Sequence, residues 1–467
     1  MNVASIIVVI ATCLICLRKK NRQFNLMLEM IWLGLFINMG GFFGDSLNSF
    51  TRELFVTIVL IIMTVFERNI KILKSVLIVS GVLLGVVILG DISLLINLDQ
   101  PNVAPMDVTY DQIVLEGAYL QKAVFSYTNI GAFGVLFFFV LSLLICSNYF
   151  RDKEYVERII EFLEKSCMAF FCLILLETVM VNIFNFDNYR TIMMTIFGVD
   201  ESAKIYSFST VRFLGLNSAF GFYSEPSYVS GPLLVFYLVN YINEATSFKK
   251  LVWFFISFLV AILSGSTNCI LILCFGVVVL IKMILINKEI SLTKRVWTSG
   301  LIGTFAISFM IVIISNNLDL WLLLLGNISE KLEAYISLTS TSNSSTISGY
   351  IRSYGNSVCY EVLITNPIFG VGLGTTRGFG MIPSVLASYG ILGSIILVIY
   401  YKNLLYLRIC KQNVILFVVL MLMLTSLFNI WQTYSAFVIA LLICFNRTLH
   451  LQQTTSDGDL RQINVKR

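Results

Sequence analysis

Long apolar segments separated by short polar ones dominate the sequence, and several approach or reach the roughly 20 residues that a membrane-spanning helix needs. The clearest apolar runs are Leu26–Phe43, Ser75–Leu98, Gly131–Tyr149, Cys167–Phe186, Leu251–Leu263, Cys269–Ile286, Thr298–Ser315, Pro383–Tyr400 and Val414–Trp431. This pattern predicts an all-α, polytopic integral membrane protein with about 12 to 13 transmembrane helices. Two shorter runs, at 54–66 and 434–445, leave the helix number open by one or two.

Composition agrees with this prediction. Hydrophobic residues make up 57% of the chain and charged residues only 13%, with a mean hydropathy of +0.86. A soluble protein of 467 residues cannot bury so much apolar surface. The net charge of +5 is too small to indicate nucleic acid as a partner. The apolar run Val3–Leu17 precedes the basic cluster Arg18–Lys20, which is the reverse of a cleaved signal peptide.

The distribution of Lys and Arg predicts the orientation of the chain. With Arg18–Arg22 in the cytoplasm and alternating spans, 24 of the 32 Lys and Arg residues fall on the cytoplasmic side. The N-terminus is then outside and the C-terminus inside. Residues 1–446 form a polytopic membrane domain, and 447–467 form a cytoplasmic tail. Long outer loops are predicted at about 99–130, 187–218 and 316–382. The amphipathic segment 151–165 is either a surface helix or the start of the next span.

The segment Arg212–Pro232 carries the first candidate site, because it joins the second outer loop to a helix. Ser224 and Pro226 suit the first turn of that helix. Glu225 lies beside the helix N-terminus, where the helix dipole favours a carboxylate. Two interpretations stay open. Glu225 caps the helix, or it orients or deprotonates a sugar hydroxyl close to Arg212.

A glycine-rich loop forms the second candidate site. Five glycines fall between Gly370 and Gly380, and Arg352 and Arg377 flank the central G-V-G-L-G. Bare backbone amides and guanidinium groups bind phosphate well. On the outer side of the membrane, a lipid-linked diphosphate is a more natural ligand than ATP. The alternative is a tight loop that packs against the next helix.

Three carboxylates, Glu29, Asp91 and Glu177, fall inside predicted spans. Ionisable groups in a membrane are functional candidates, here as a proton relay for transport, although interhelical hydrogen bonding explains them equally. His450 is the only histidine and lies in the predicted tail. The sequence therefore excludes a histidine base or histidine metal ligand at the outer face. We expect neither a metal nor a cofactor.

Together these motifs resemble the Wzy-type bacterial polysaccharide polymerases of the O-antigen polymerase and ligase superfamily. The resemblance covers roughly residues 212 to 400. It rests on R-F-x-G-L and S-E-P-S (212–227), L-S-G-S-T-N (263–268), Arg352, N-P-I-F-G-V-G-L-G (366–374) and the following Y-G-I-L-G. Two departures are Gly265–Thr267, where many relatives carry an arginine, and Phe379, where ligases typically carry a histidine. The second departure favours a polymerase over a ligase.

The resemblance implies a glycosyltransferase-C-like fold at the bacterial cytoplasmic membrane. The implied activity is polymerisation of undecaprenyl-diphosphate-linked repeat units into O-antigen, capsule or exopolysaccharide at the outer face. Implied partners are this glycan, membrane lipids, a chain-length regulator and a flippase. Catalysis is expected from Glu225, Arg352 and Arg377, and substrate binding from Arg212, Gly370, Gly372 and Gly374. The alternatives are an O-antigen ligase and, from another class, a lipid-linked oligosaccharide flippase or other transporter.

Overall fold

The structure is a computed structural model. It describes residues 2–18, 21–36, 51–67, 74–96, 101–103, 120–147, 149–150, 152–186, 188–197, 217–219, 221, 226–242, 248–286, 347–376, 378 and 381–405.

The described chain is mostly helical, as the sequence predicts. Its α-helices are α1 Val3–Leu17, α2 Arg22–Phe36, α3 Arg52–Glu67, α4 Lys74–Ile96, α5 Tyr127–Cys146, α6 Lys153–Thr178, α7 Asn188–Phe197, α8 Ser230–Ile242, α9 Phe248–Ser264, α10 Thr267–Ile286, α11 Ile347–Thr365 and α12 Met381–Leu405. One short antiparallel pair, β1 (Asn102–Val103) and β2 (Gln121–Lys122), departs from the all-α prediction. A π-helical turn, Val179–Ile183, continues α6, and a 3-10 turn, Pro226–Val229, leads into α8.

Four helical segments of the described chain are long and apolar enough to cross a membrane. They are Lys74–Ile96, Tyr127–Cys146, Glu154–Ile183 and Ile382–Asn403. Shorter apolar helices cover Val3–Leu17, Lys250–Ser264 and Asn268–Ile281. The predicted spans at 298–315 and 414–431 lie outside the described residues. The total of 12 to 13 spans therefore stays a prediction.

Residues 153–165 are the first part of α6 and not a separate surface helix. Asp152 caps α6 by accepting a hydrogen bond from the backbone N–H of Glu154. The exposed pair Arg158–Glu154 follows one turn later at 2.6 Å. The same helix then continues to Thr178 with mainly apolar side chains. The charged turns are thus the polar start of an otherwise apolar helix.

The two ends of the helical bundle are set by where neighbouring helices begin and stop. Tyr149, just after α5, packs on Tyr155 near the start of α6, with ring centroids 4.8 Å apart. Phe24, near the start of α2, packs on Tyr155 at 4.7 Å. Because α6 begins at this Tyr155 end, it finishes at the opposite end, where α5 begins. We call that opposite end the Asn129 end, after a buried residue in the first turn of α5.

Candidate functional site

The structure describes four of the seven predicted site residues. Arg352 lies in α11, and Gly370, Gly372 and Gly374 lie in the loop between α11 and α12. Glu225, Arg212 and Arg377 lie outside the described residues. Both chain neighbours of Arg377 are described, as are residues 217–219, 221 and 226 in the segment that contains Glu225.

A kink in α12 anchors the glycine loop. Gly390 has φ 63°, so the helical hydrogen-bond pattern breaks inside α12. The loop satisfies the amides that the kink frees. Ile391 donates its backbone N–H to the carbonyl of Pro367 at 2.8 Å, and Leu392 donates to Ile368 at 3.2 Å. Loop and helix are therefore joined by backbone hydrogen bonds, and a change at either one disturbs the other.

Two loop glycines are required by close backbone approach. Gly370 has φ 67°, and a Cβ there would lie 2.3 Å from the carbonyl oxygen of Ala387. Gly374 has φ 88°, and a Cβ there would lie 2.8 Å from the carbonyl oxygen of Thr128. Both glycines thus need a left-handed backbone and bring the loop into contact with neighbouring main chain. This geometry matches the packing interpretation of the motif, and phosphate binding by these glycines stays a prediction.

The central glycine faces a carboxylate of the chain itself. A Cβ on Gly372 would lie 2.4 Å from Oδ1 of Asp91 in α4. The backbone of Leu373 also lies close to this carboxylate. Oδ1 of Asp91 has no hydrogen-bond partner within the described part of the chain. The loop therefore already holds one anionic group, which was visible in the sequence only as an isolated acidic residue in an apolar run.

Asn129 fixes the other side of the loop. Its side-chain Nδ2 donates to the carbonyl of Leu373 at 2.8 Å and to Oγ1 of Thr375 at 2.7 Å. Its Oδ1 accepts from the backbone N–H of Ser126 at 2.9 Å, which caps α5. Asn129 is fully buried, so these bonds are shielded from water. The sequence analysis did not predict a role for Asn129. Its one local signal is its position three residues after the helix-capping Ser126.

The backbone on both sides of Arg377 is packed tightly. Thr376 is fully buried. A Cβ on Gly378 would lie 2.4 Å from Oγ of Ser384 and 2.9 Å from Sγ of Cys359. Cys359 lies two turns after Arg352 in α11, about 10.5 Å along the helix. Burial raises the pKa of the Cys359 thiol to about 12, so this group is a packing element and not a thiolate nucleophile.

A second set of buried polar contacts holds the segment before Glu225. Glu177, at the end of α6, pairs through Oε1 with Nε of Arg190 in α7 at 3.2 Å, and both side chains are at most 5% exposed. Its Oε2 accepts the backbone N–H of Gly221 at 2.6 Å. Arg190 also donates to the carbonyl of Ser218. Interhelical bonding, one of the two interpretations of Glu177, is therefore observed.

Residues 217 and 219, earlier in the segment before Glu225, are also held by hydrogen bonds. Asn182, in the π-helical turn, accepts the N–H of Asn217 at 2.7 Å and donates to its carbonyl at 3.3 Å. Ala219 donates its N–H to the carbonyl of Leu263 at 3.1 Å. Two of the motif segments on which the resemblance rests, 212–227 and 263–268, thus touch each other. Pro226 begins a 3-10 turn, with α8 starting only at Ser230.

Both motif-bearing segments lie at the Asn129 end of the bundle. The glycine loop contacts the end of α4 and the start of α5. The segment 217–221 contacts the end of α6. No family model matches the chain, and no curated protein matches it. The resemblance to the polymerase family therefore rests on the sequence motifs alone.

Proposed function

We propose that this protein is a polysaccharide polymerase that joins lipid-diphosphate-linked oligosaccharide repeat units at the outer face of the cytoplasmic membrane. One observation carries the proposal. The segment that leads into Glu225 and the loop that leads into Arg377 are both built into the same end of a membrane-type helical bundle. Each is held by buried polar contacts rather than left as a solvated connection. This is the support that a catalytic constellation needs.

The proposed chemistry is a glycosyl transfer. The acceptor hydroxyl oxygen attacks the anomeric carbon of the donor, and the bond from that carbon to the diphosphate oxygen breaks. Glu225 takes the hydroxyl proton as general base. The charge that develops on the leaving undecaprenyl diphosphate is stabilised by Arg352 and Arg377, whose guanidinium groups match phosphate geometry. Arg212 orients the substrate, and the energy comes from the donor's own glycosyl–diphosphate bond.

The glycine loop has a specific place in this scheme. The carboxylate of Asp91 already lies against the loop at Gly372, and Gly370 and Val371 donate their N–H groups to carbonyls of the chain. We therefore assign most of the diphosphate binding to the arginines. Gly370, Gly372 and Gly374 let the loop pack closely enough to hold Arg377 in position.

A transporter is the second candidate, and one observation favours it. Glu53 at the start of α3 is 2% exposed, and neither carboxylate oxygen has a partner among the described residues. Glu29 and Asp91 each have one further unpartnered oxygen. Buried carboxyls without partners are costly and are typical of ion and proton pathways. A flippase for lipid-linked oligosaccharides would use such groups.

The glycan profile of a deletion strain separates these functions. Loss of a polymerase leaves single repeat units attached to their final acceptor. Loss of a ligase leaves no units attached, and loss of a flippase traps lipid-linked units in the cytoplasm. Plasmid-borne wild type serves as the control for complementation. A full-length ladder in the deletion strain contradicts all three proposals.

Labelling with an impermeant maleimide tests the orientation on which the chemistry depends. In a cysteine-free background, we expect a cysteine at position 352 to react from outside and one at position 153 to react only after permeabilisation. Labelling of position 153 in intact cells contradicts the proposed topology.

A further inference from the structure

A groove at the edge of the bundle has the features of a lipid site. It has a volume of about 650 Å3 and lies between α1, α2, α6 and α7. Its apolar lining includes Ala4, Val8, Ala11, Trp32, Phe162 and Ile196. From Ala4 to Arg18 the groove follows α1 for fourteen residues, about 21 Å at 1.5 Å per residue. That length suits a single extended hydrocarbon chain.

The groove lies next to a surface that faces lipid. Ile6, Ile10 and Leu14 on the neighbouring face of α1 are 47%, 55% and 58% exposed. Exposed aliphatic side chains along a whole helix face are typical of contact with hydrocarbon. A membrane lipid can therefore enter the groove sideways, without first leaving the bilayer.

Two polar side chains mark one end of the groove. Arg18 follows the last turn of α1, and Asn25 lies in the first turn of α2. Arg18 is exposed, and no acidic partner of its guanidinium is found in the described part of the chain. A guanidinium beside a carboxamide offers several N–H donors to phosphate oxygens. The adjacent Lys19 and Lys20 add positive charge in sequence, whereas Arg22 is paired with Glu67 at 3.5 Å.

We propose that this groove binds one anionic glycerophospholipid, with its phosphate at Arg18 and Asn25 and an acyl chain along α1. The positive charge of Arg18 favours an anionic over a zwitterionic headgroup. The headgroup lies at the Tyr155 end of the bundle, opposite the glycine loop. The bound lipid is therefore distinct from the proposed donor and does not depend on the proposed activity.

Glu29 lies partway along the groove and fits this arrangement. Its Oε1 accepts a hydrogen bond from Thr12 at 3.0 Å, and its Oε2 has no partner within the described residues. Thr12 is six residues, about 9 Å, along α1 from Arg18. Asn25 and Glu29 are four residues apart on α2, about 6 Å along the helix axis, so this carboxyl lies one helical turn from the headgroup contact. In its neutral form the carboxyl can donate a hydrogen bond to an ester carbonyl of the lipid.

Native mass spectrometry of the full-length protein in a mild detergent tests the proposal. The probes are phosphatidylglycerol and phosphatidylcholine with identical acyl chains. We expect wild type to bind one phosphatidylglycerol and to prefer it over phosphatidylcholine. Equal affinity for the two lipids overturns the headgroup assignment.

A pair of tryptophan variants on one helix tests the groove itself. Ala11→Trp fills the groove and should abolish the one-to-one complex. Leu14→Trp places the same side chain on the lipid-facing side of α1 and should leave binding unchanged. Equal binding by both variants overturns the groove as the site.

Charge variants test the headgroup contact without altering the apolar lining, and so stay informative if Ala11→Trp does not fold. Arg18→Gln should weaken phosphatidylglycerol binding about tenfold, as expected for loss of a charge-assisted hydrogen bond. Lys402→Gln, at an exposed cation in the last turn of α12, is the matched control and should have no effect. Equal losses in both variants would mean a general surface charge effect and overturn the proposed contact.

Discussion

The buried pair of Glu177 and Arg190 gives the sharpest structural prediction. Replacing Arg190 with Met keeps a long side chain and removes the guanidinium. Glu177 then stays buried without its cation, and the carbonyl of Ser218 loses a donor. Removing one partner of a buried pair costs about 3–5 kcal/mol, because the remaining charge is uncompensated. We expect the free energy of unfolding to fall by about that amount.

A second pair on α6 supplies the control. Arg158 and Glu154 form an ion pair at 2.6 Å, but both side chains are exposed, at 48% and 73%. Solvent screens such a pair, so Arg158→Met should change stability by no more than about 0.5 kcal/mol. The N–O distance is shorter in the exposed pair (2.6 Å) than in the buried pair (3.2 Å), so distance alone would predict the opposite order of stability losses. Burial and not distance is expected to decide the outcome.

The assay is unfolding of the purified protein in mixed micelles by titration with a denaturing detergent, followed by circular dichroism. The double variant Glu177→Gln, Arg190→Met removes both charges, and Gln keeps an acceptor for the N–H of Gly221. We expect the double variant to be more stable than Arg190→Met alone. Equal losses for Arg190→Met and Arg158→Met would refute the reasoning, as would a double variant less stable than the single one.

Three further predictions concern the proposed site. Glu225→Gln should lower polymerisation about 100-fold at matched expression if Glu225 is a general base; unchanged glycan ladders on a gel would return it to a capping role. Arg352→Ala and Arg377→Ala should each shorten or abolish chains at normal protein level, and Arg352→Lys should restore them only partly, because an ammonium cannot bind phosphate in bidentate fashion. Gly372→Ala should destabilise the protein by about 2 kcal/mol in the detergent-unfolding assay, through its positive φ and the contact with Asp91. The control Gly81→Ala, with nothing within 4 Å, should not destabilise it.

Hydrophobic patterning located helices well because it is a local property. The run predicted at Ser75–Leu98 is the helix Lys74–Ile96, and that at Pro383–Tyr400 lies within Met381–Leu405. The start of α6 was ambiguous, since the charged turns 151–165 suit both a surface helix and the polar beginning of a span. Only the continuous hydrogen bonding of α6 distinguishes the two.

Contacts between distant residues were not predictable in the same way. Asn129 binds Leu373 and Thr375 across more than 240 positions of sequence. Glu177 was recognised as an ionisable residue in a span, but its partner Arg190 looked like one of several scattered outer cations. A single sequence contains no signal that joins such pairs. The kink at Gly390 is an intermediate case, because a glycine inside an apolar helix permits a kink without requiring one.

Asp91 shows a limit of the glycine motif as a sequence signal. The motif indicates close approach to the main chain, but it does not indicate which group approaches. The sequence predicts that the bare amides of this loop bind phosphate, and that stays a prediction. In the described structure the carboxylate of Asp91 faces Gly372. A diphosphate beside the same amides would have to displace this carboxylate or share the space with a like charge, and both are unfavourable. We therefore expect binding of the proposed donor to depend on Arg352 and Arg377. The alanine variants of the two arginines then test the proposed donor binding, and Gly372→Ala tests only the packing of the loop.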